Sequence, residues 1–278
     1  MAASPFARLF QGGEHQAFTL AGGSPGALLV HGFPGTPAEM HPLGQVLNQA
    51  GWTVRGMLLP GFGAQIETLP ERRHSEWADA VRSELRDLRL GHKPLLVGGF
   101  SMGGALALQA AAQEPVDGLI LLAPYWKLRG LVWNLLPVIR RLLPSIRPFR
   151  LIKMDFSDPE MRKGMGKFVP DLDLDDPEVQ RAMREFRLPV GMFDELRKVG
   201  LGAGGAAPRV RAPTLVIQGR GDELVRVDVT RQLLARLSGP LTYHEVAGAH
   251  DLPDQTRPAW PSIQYAVLQF ARQIEEAS

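Results

Sequence analysis

One serine, Ser101, stands between glycines in GFSMGG (99–104), directly after the apolar run LLVG and before the alanine-rich ALALQAAA. A serine hydroxyl is a poor nucleophile until a base takes its proton, usually a histidine held by a carboxylate. Two histidines lie downstream of Ser101, His244 and His250. His244 falls inside LTYHEV (241–246), which suits a partly exposed strand, whereas His250 follows in AGAHDLPD, a loop just past that run. His250 is therefore the expected base. TLVIQGRGDELV (214–225) places Asp222 four residues beyond Gln218, where an acid would leave the end of a strand. Its rivals are Glu223, readable as a surface charge, and Asp251 and Asp254, both too close in sequence to His250 for the expected geometry.

Attack on a carbonyl creates an oxyanion that needs two donors. The backbone N–H of Met102, next after the serine, is one. The other is expected from HGFPGT (31–36). Pro34 has no N–H, so among the first residues of that loop Phe33 is the natural donor. His31 precedes Ser101 in the chain and is read as a brace of that loop through hydrogen bonds.

Gly-x-Ser-x-Gly alone arises easily by accident in a chain with 30 glycines, so its context decides its meaning. Short apolar runs bounded by Gly or Pro recur at 27–31, 53–58, 95–98, 119–122 and 215–218, with a mixed run at 241–246. Near-continuous hydrophobicity at that length suits strands covered on both faces, as in a parallel sheet. Helical patterns separate them. TPAEMHPLGQVLNQAG predicts a helix with Thr36 as N-cap, Pro37 in its first turn and Glu39 closing a capping box. HSEWADAVRSELRDLRLG spaces Trp77, Val81, Leu85 and Leu88 along one face. Further helices are expected at 105–112, 229–237 and 262–275. The alternation predicts an α/β, doubly wound, mostly parallel sheet, with sites at the carboxyl ends of its strands. Ser101 then sits on a strained strand-to-helix turn, and serine, acid, histidine is the expected chain order.

The alternation stops between 125 and 208, where helical patterns continue without a convincing buried strand. The expectation is a core of 1–124 and 209–278 with a small helical cap inserted at 125–208. The glycine-rich 200–208 leads back to the core and reads as a loop. A chain of 278 residues, 45% hydrophobic and 22% charged, has the composition of a globular protein. A formal net charge of +2 gives no argument for nucleic acid, and zero cysteines exclude disulfides and thiolate metal sites. No apolar run approaches the roughly 18 residues of a membrane span, and the first residues lack a signal-peptide core. A cytoplasmic location is expected, and no cofactor or metal is called for.

HGFPGTPAEM, GFSMGG, APTLVIQGRGDELV (212–225) and GAHDLPD (248–254) together make the chain resemble the α/β-hydrolase superfamily, and within it bacterial carboxylesterases and monoacylglycerol lipases with a small cap. The resemblance covers the chain outside the cap and, more weakly, LPVGMFDELRKV (188–199). It implies Ser101 as nucleophile, Asp222 as acid, His250 as base, and Phe33 and Met102 as oxyanion donors. In LLPGFG (58–63) the chain departs from it, since relatives often carry histidine at the place of Phe62. The implied activity is hydrolysis of short- to medium-chain carboxylic esters, with monoacylglycerols as further substrates. Amidase, acyltransferase or C–C bond hydrolase chemistry on the same triad stays open, as does a binding protein that kept the fold.

Residues 127–153 hold seven basic residues and no acidic one, with an apolar surface that includes Trp133, Leu135, Leu136, Val138 and Ile139. One reading is contact with a lipid surface. The favoured one is a lid lining an acyl pocket, its arginines solvated or paired with DLDLDDPE (171–178). Phe33, Trp126, Trp133 and Met192 are the expected substrate-binding residues. Five of nine methionines (Met154, Met161, Met165, Met183, Met192) lie in the cap region, which suits an adaptable apolar pocket and equally an ordinary core.

Overall fold

A computed structural model describes residues 10–128, 130–143, 145–146, 157–158, 162, 174–177, 179–181 and 188–278. Its strands are β1 (Phe18–Leu20), β2 (Gly26–Val30), β3 (Thr53–Met57), β4 (Leu95–Phe100), β5 (Gly118–Leu122), β6 (Ser145–Ile146), β7 (Leu188–Pro189), β8 (Thr214–Gly219) and β9 (Leu241–Val246). Its α-helices are α1 (His41–Gln49), α2 (His74–Arg89), α3 (Met102–Ala111), α4 (Leu131–Leu142), α5 (Val190–Ala206), α6 (Val227–Leu234) and α7 (Trp260–Glu276). Seven strands form one sheet in the order β1-β3-β2-β4-β5-β8-β9, and β6 pairs with β7 separately. All neighbours in the large sheet are parallel except β1, which runs antiparallel to β3.

Alternate side chains of the central strands feed two cores, as the pleat requires. Leu28, Val30, Val97, Leu119, Leu121 and Val216 pack towards α2, α3 and α5. Ala27, Leu29, Leu96, Ile120, Leu122, Leu215 and Ile217 pack towards α1 and α7. Every residue of β2, β4, β5 and β8 is buried. That is why these runs read as continuous hydrophobicity rather than as alternation.

The structure differs from the sequence reading in three places. The edge strand β1 is short and half-exposed, too brief to carry a periodic signal. The predicted capping box does not form: Pro37–Met40 is a 3-10 turn and α1 starts at His41. Thr36 Oγ1 bonds His15 Nδ1 at 2.9 Å instead, and the Glu39 carboxylate turns back to accept the Gly32 N–H. The glycine-rich segment is not a loop but the end of α5 and a following 3-10 turn, Ala207–Arg209. Gly200, Gly202 and Gly204 serve close packing, since a Cβ on Gly200 would lie 1.9 Å from the Trp126 carbonyl oxygen.

Within the expected cap, Met154, Met161, Met165 and Met183 lie outside the described residues, as do 129, 144, 147–153, 171–173 and 178. In the described part, Arg140 of α4 pairs at 2.8 Å with Asp194 of α5, not with the acidic stretch. Asp194 is buried and is also held by Arg197 at 2.7 Å. α5 is fixed to the start of α2, where the His74 N–H donates to Glu195 Oε2 at 3.0 Å. Among the described residues, no helix is long and apolar enough to cross a membrane.

Candidate active site

β4 ends at Phe100, and Ser101 follows at φ 51° and ψ −114° before α3 begins at Met102. Positive φ is unusual for a residue with a Cβ and marks a constrained turn. Three backbone bonds hold it. The Ser101 N–H donates to Leu122 O at 2.9 Å, and Ser101 O accepts from the N–H groups of Ala105 (3.1 Å) and Tyr125 (3.0 Å). The flanking glycines are required by contact. A Cβ on Gly99 would lie 2.3 Å from the Gly103 backbone, and one on Gly103 would lie 2.2 Å from Val30 O and 2.4 Å from His31 O. The reversal thus presses the start of α3 against the end of β2, beside the loop that carries Phe33.

Ser101 is 7% exposed, and its hydroxyl lies 3.0 Å from His250 Nε2. His250 Nδ1 lies 2.7 Å from Asp222 Oδ2. A carboxylate only accepts, so Nδ1 carries the ring proton and Nε2 is left to accept the Ser101 O–H. The Asp222 side chain is fully buried and His250 is partly exposed. Asp222 Oδ1 accepts the N–H of Leu224 (3.0 Å) and Val225 (2.7 Å), and Oδ2 also accepts from Gln218 Nε2 at 3.2 Å. The rivals are placed elsewhere: Glu223 is exposed, and Asp251 and Asp254 both pair with Arg257. His244 is exposed on the edge strand β9.

Met102 opens α3, so its N–H has no intrahelical acceptor and lies at the positive end of the helix dipole. His31 is fully buried; its Nε2 accepts the Leu59 N–H at 3.1 Å and its Nδ1 donates to Gly32 O at 2.9 Å. Both ring nitrogens are thereby used in fixing the loop. Burial pulls its pKa down to about 4, against the opposing bond to Gly32, so the ring is neutral. Phe33 packs edge-on against Phe62 at 5.9 Å, and Phe62 in turn packs against His31 (5.0 Å) and Trp77 (5.9 Å). Phe62, the departure noted above, is fully buried beneath the loop. Glu39 completes the loop's support through Gly32, and burial pushes its pKa up to about 7 against the effect of that bond.

The remaining expected residues are spread around α4 and α5. Trp133 packs edge-on against Tyr125 at 6.3 Å, and Met192 is buried in α5. The Trp126 ring carries Lys127 Nζ at 4.2 Å from its centroid and Arg236 Cζ at 5.8 Å. Sequence reasoning missed Gln218 and Glu39 as members of the site. For Gln218 the available signal was an uncharged polar residue inside an otherwise apolar buried run. For Glu39 the same residue type satisfied a helix-cap pattern and so concealed its real partner.

The profile of the family described as serine aminopeptidase, S33 matches residues 26–252, which contain Ser101, Asp222 and His250. The thermostable monoacylglycerol lipase of Bacillus sp. (strain H-257) is 36% identical over 100 residues, 36% of this chain and 40% of that protein. The carboxylesterase of Bacillus subtilis (strain 168) is 31% identical over 104 residues, 37% of this chain and 42% of that protein. The chain thus spans about two fifths of the length of these curated relatives. A solved structure from work on two metagenome-derived lipolytic enzymes aligns with a TM-score of 0.73 at 23% identity, covering 94% of this chain and 98% of that one. At that identity the likeness concerns the fold. With its seven-stranded sheet, flanking helices and a profile match over most of its length, the chain belongs to the serine aminopeptidase, S33 family of α/β-hydrolases.

Proposed function

We propose that the protein is a serine hydrolase of carboxylic esters, acting on short- to medium-chain acyl groups through an acyl-enzyme. The observation that carries this reading is the continuous chain Ser101 Oγ, His250 Nε2, His250 Nδ1 and Asp222 Oδ2, with links of 3.0 and 2.7 Å. Ser101 Oγ attacks the ester carbonyl carbon while its proton passes to His250 Nε2. The oxyanion is held by the N–H groups of Phe33 and Met102. Collapse expels the alcohol, which takes the proton from His250. Water then attacks the acyl-enzyme by the same route, releasing the acid and restoring Ser101. Asp222 keeps the proton on Nδ1 and stabilises the transient imidazolium.

Residues 125–208 are the cap in this proposal, with α5 as its anchor against α2 and α3, and α4 packed on α5. Phe33, Trp126, Trp133 and Met192 then face the acyl chain. Each methylene buried there contributes about 0.8 kcal/mol until the pocket is full. The expected optimum is roughly four to ten carbons, the upward trend coming from transfer energy and the cut-off from the small size of the cap and the resemblance to capped esterases. A second reading, a monoacylglycerol lipase, is supported by the similarity to the Bacillus sp. (strain H-257) lipase. Contact of α4 with a lipid surface belongs to that reading. Rates on p-nitrophenyl esters from acetate to palmitate, beside monoacylglycerols, separate the two. A peak at short to medium chains supports the esterase, whereas a peak at palmitate with activation at an oil–water interface contradicts it.

A further inference from the structure

We propose that Gln218 and Thr230 are positioning residues for Asp222: a buried donor chain from α6 through β8 that holds the carboxylate in line with His250. This rests on the hydrolase reading above and deepens it. Gln218 and Thr230 are both fully buried. A buried amide or hydroxyl costs stability unless it is bonded, and the bonds of this pair lead to the acid. Gln218 Nε2 donates to Asp222 Oδ2 at 3.2 Å and to Val225 O at 2.9 Å, with Gly219 O at 3.3 Å. Its Oε1 accepts the Thr230 O–H at 2.7 Å.

The amide therefore has one allowed orientation. Three acceptors surround its nitrogen and a hydroxyl proton meets its oxygen, so a flipped amide would set oxygen against oxygen on one side. A methionine and a valine would fill the same volume with no polar group to satisfy. What the polar pair adds is a directed donor on the carboxylate oxygen that His250 uses.

That donor bears on the proton transfer. Asp222 Oδ2 is shared between Gln218 and His250, and the Leu224 and Val225 N–H groups hold Oδ1. Removing the Gln218 donor leaves Oδ2 more basic and freer to turn. The imidazolium is then stabilised more strongly but aligned less well with Ser101. Among the described residues, His250 bonds Asp222 and the Ser101 hydroxyl and packs on the Phe100 ring at 4.9 Å, and of these Asp222 carries the charge.

The test is the double variant Gln218→Met with Thr230→Val, which removes both polar side chains and takes from the Val225 carbonyl the Gln218 donor. It should stay folded, with a modest loss of stability. Its kcat should fall roughly tenfold with KM unchanged, the loss of one hydrogen bond to a charged group. The midpoint of its acid limb, and of the His250 ring signal followed by NMR, should lie above the parent's. A folded double variant with parental kcat and both midpoints unmoved overturns the proposal. If it does not fold, Gln218→Glu decides, since it keeps the shape and the Thr230 bond. With two carboxylates face to face, its activity should fall as pH rises, and a profile parallel to the parent's overturns the proposal. Absence of ester turnover in the parent refutes the hydrolase reading alone, because the NMR titration still tests the clamp.

Discussion

Replacing Asp222 by Asn changes one heavy atom at the centre of the site, and its consequence follows from the four donors around the carboxylate. The new amide oxygen takes the place of Oδ1, where the N–H groups of Leu224 and Val225 lie at 3.0 and 2.7 Å. Its NH2 must then replace Oδ2, which faces two donors, His250 Nδ1–H at 2.7 Å and Gln218 Nε2 at 3.2 Å. The Gln218 amide is held by Thr230 and Val225. His250 is the partner that yields, by moving its proton to Nε2. Nε2–H then points at Ser101 Oγ, 3.0 Å away, and accepts nothing. The general base is lost although the fold is kept. The expected cost is about 10⁴ in kcat, or about 5.5 kcal/mol of barrier. Steady-state rates on p-nitrophenyl butyrate, with circular dichroism as the folding control, measure it. Glu223→Gln and Asp251→Asn should stay within about twofold, the first an exposed charge and the second a half-buried one paired with Arg257, both outside the chain of bonds. A loss under tenfold for Asp222→Asn, or a larger loss for either neighbour, would refute the assignment of the acid.

Other expectations concern the loop and the cap anchor. Glu39 has its pKa raised by burial to about 7 from 4.5, so folding favours the neutral form. The sign follows directly: folded Glu39 binds the proton more tightly than unfolded, so stability falls as pH rises from 4.5 to 7, by up to about 3 kcal/mol. Urea denaturation of the parent and Glu39→Gln from pH 5 to pH 8 should give a flatter stability profile in the variant, and identical slopes would contradict it. Gly200→Ala should destabilise by about 3 kcal/mol, because its Cβ would meet the Trp126 carbonyl oxygen at 1.9 Å. Gly205→Ala, with nothing within 4 Å, should stabilise α5 by about 0.5 kcal/mol. Equal thermal shifts for the two would show that α5 does not pack as described.

The legible part of the molecule was the part whose physics is local. Continuous apolar runs announced β2, β4 and β5 because burial on both faces leaves no polar positions to interrupt them, and in β8 only Thr214 and Gln218 do so. The turn around Ser101 was legible because a sharp reversal admits almost no side chains at its flanks. Asp222 and His250 could be placed because strand ends determine where the following loops emerge. What the sequence concealed was long-range. Glu39 matched a capping pattern three residues from Thr36, yet its partner, Gly32, lies before that cap. The glycine-rich segment read as a loop, because nothing local reveals that Trp126 presses against Gly200 and Gly204 and Gln109 against Gly202. Gln218 read as the end of a strand, since its meaning depends on Thr230 twelve residues later and on the acid between them.

The central claim, that Ser101 is a nucleophile activated by His250, is tested most directly by covalent labelling. A fluorophosphonate probe, followed by mass spectrometry of the digested protein, should add one label per chain on the peptide carrying Gly99, Ser101 and Gly103. Ser101→Ala should abolish it, and His250→Gln should slow it by several orders of magnitude while the fold persists. Labelling on another residue, or undiminished labelling and turnover in Ser101→Ala, would contradict the account.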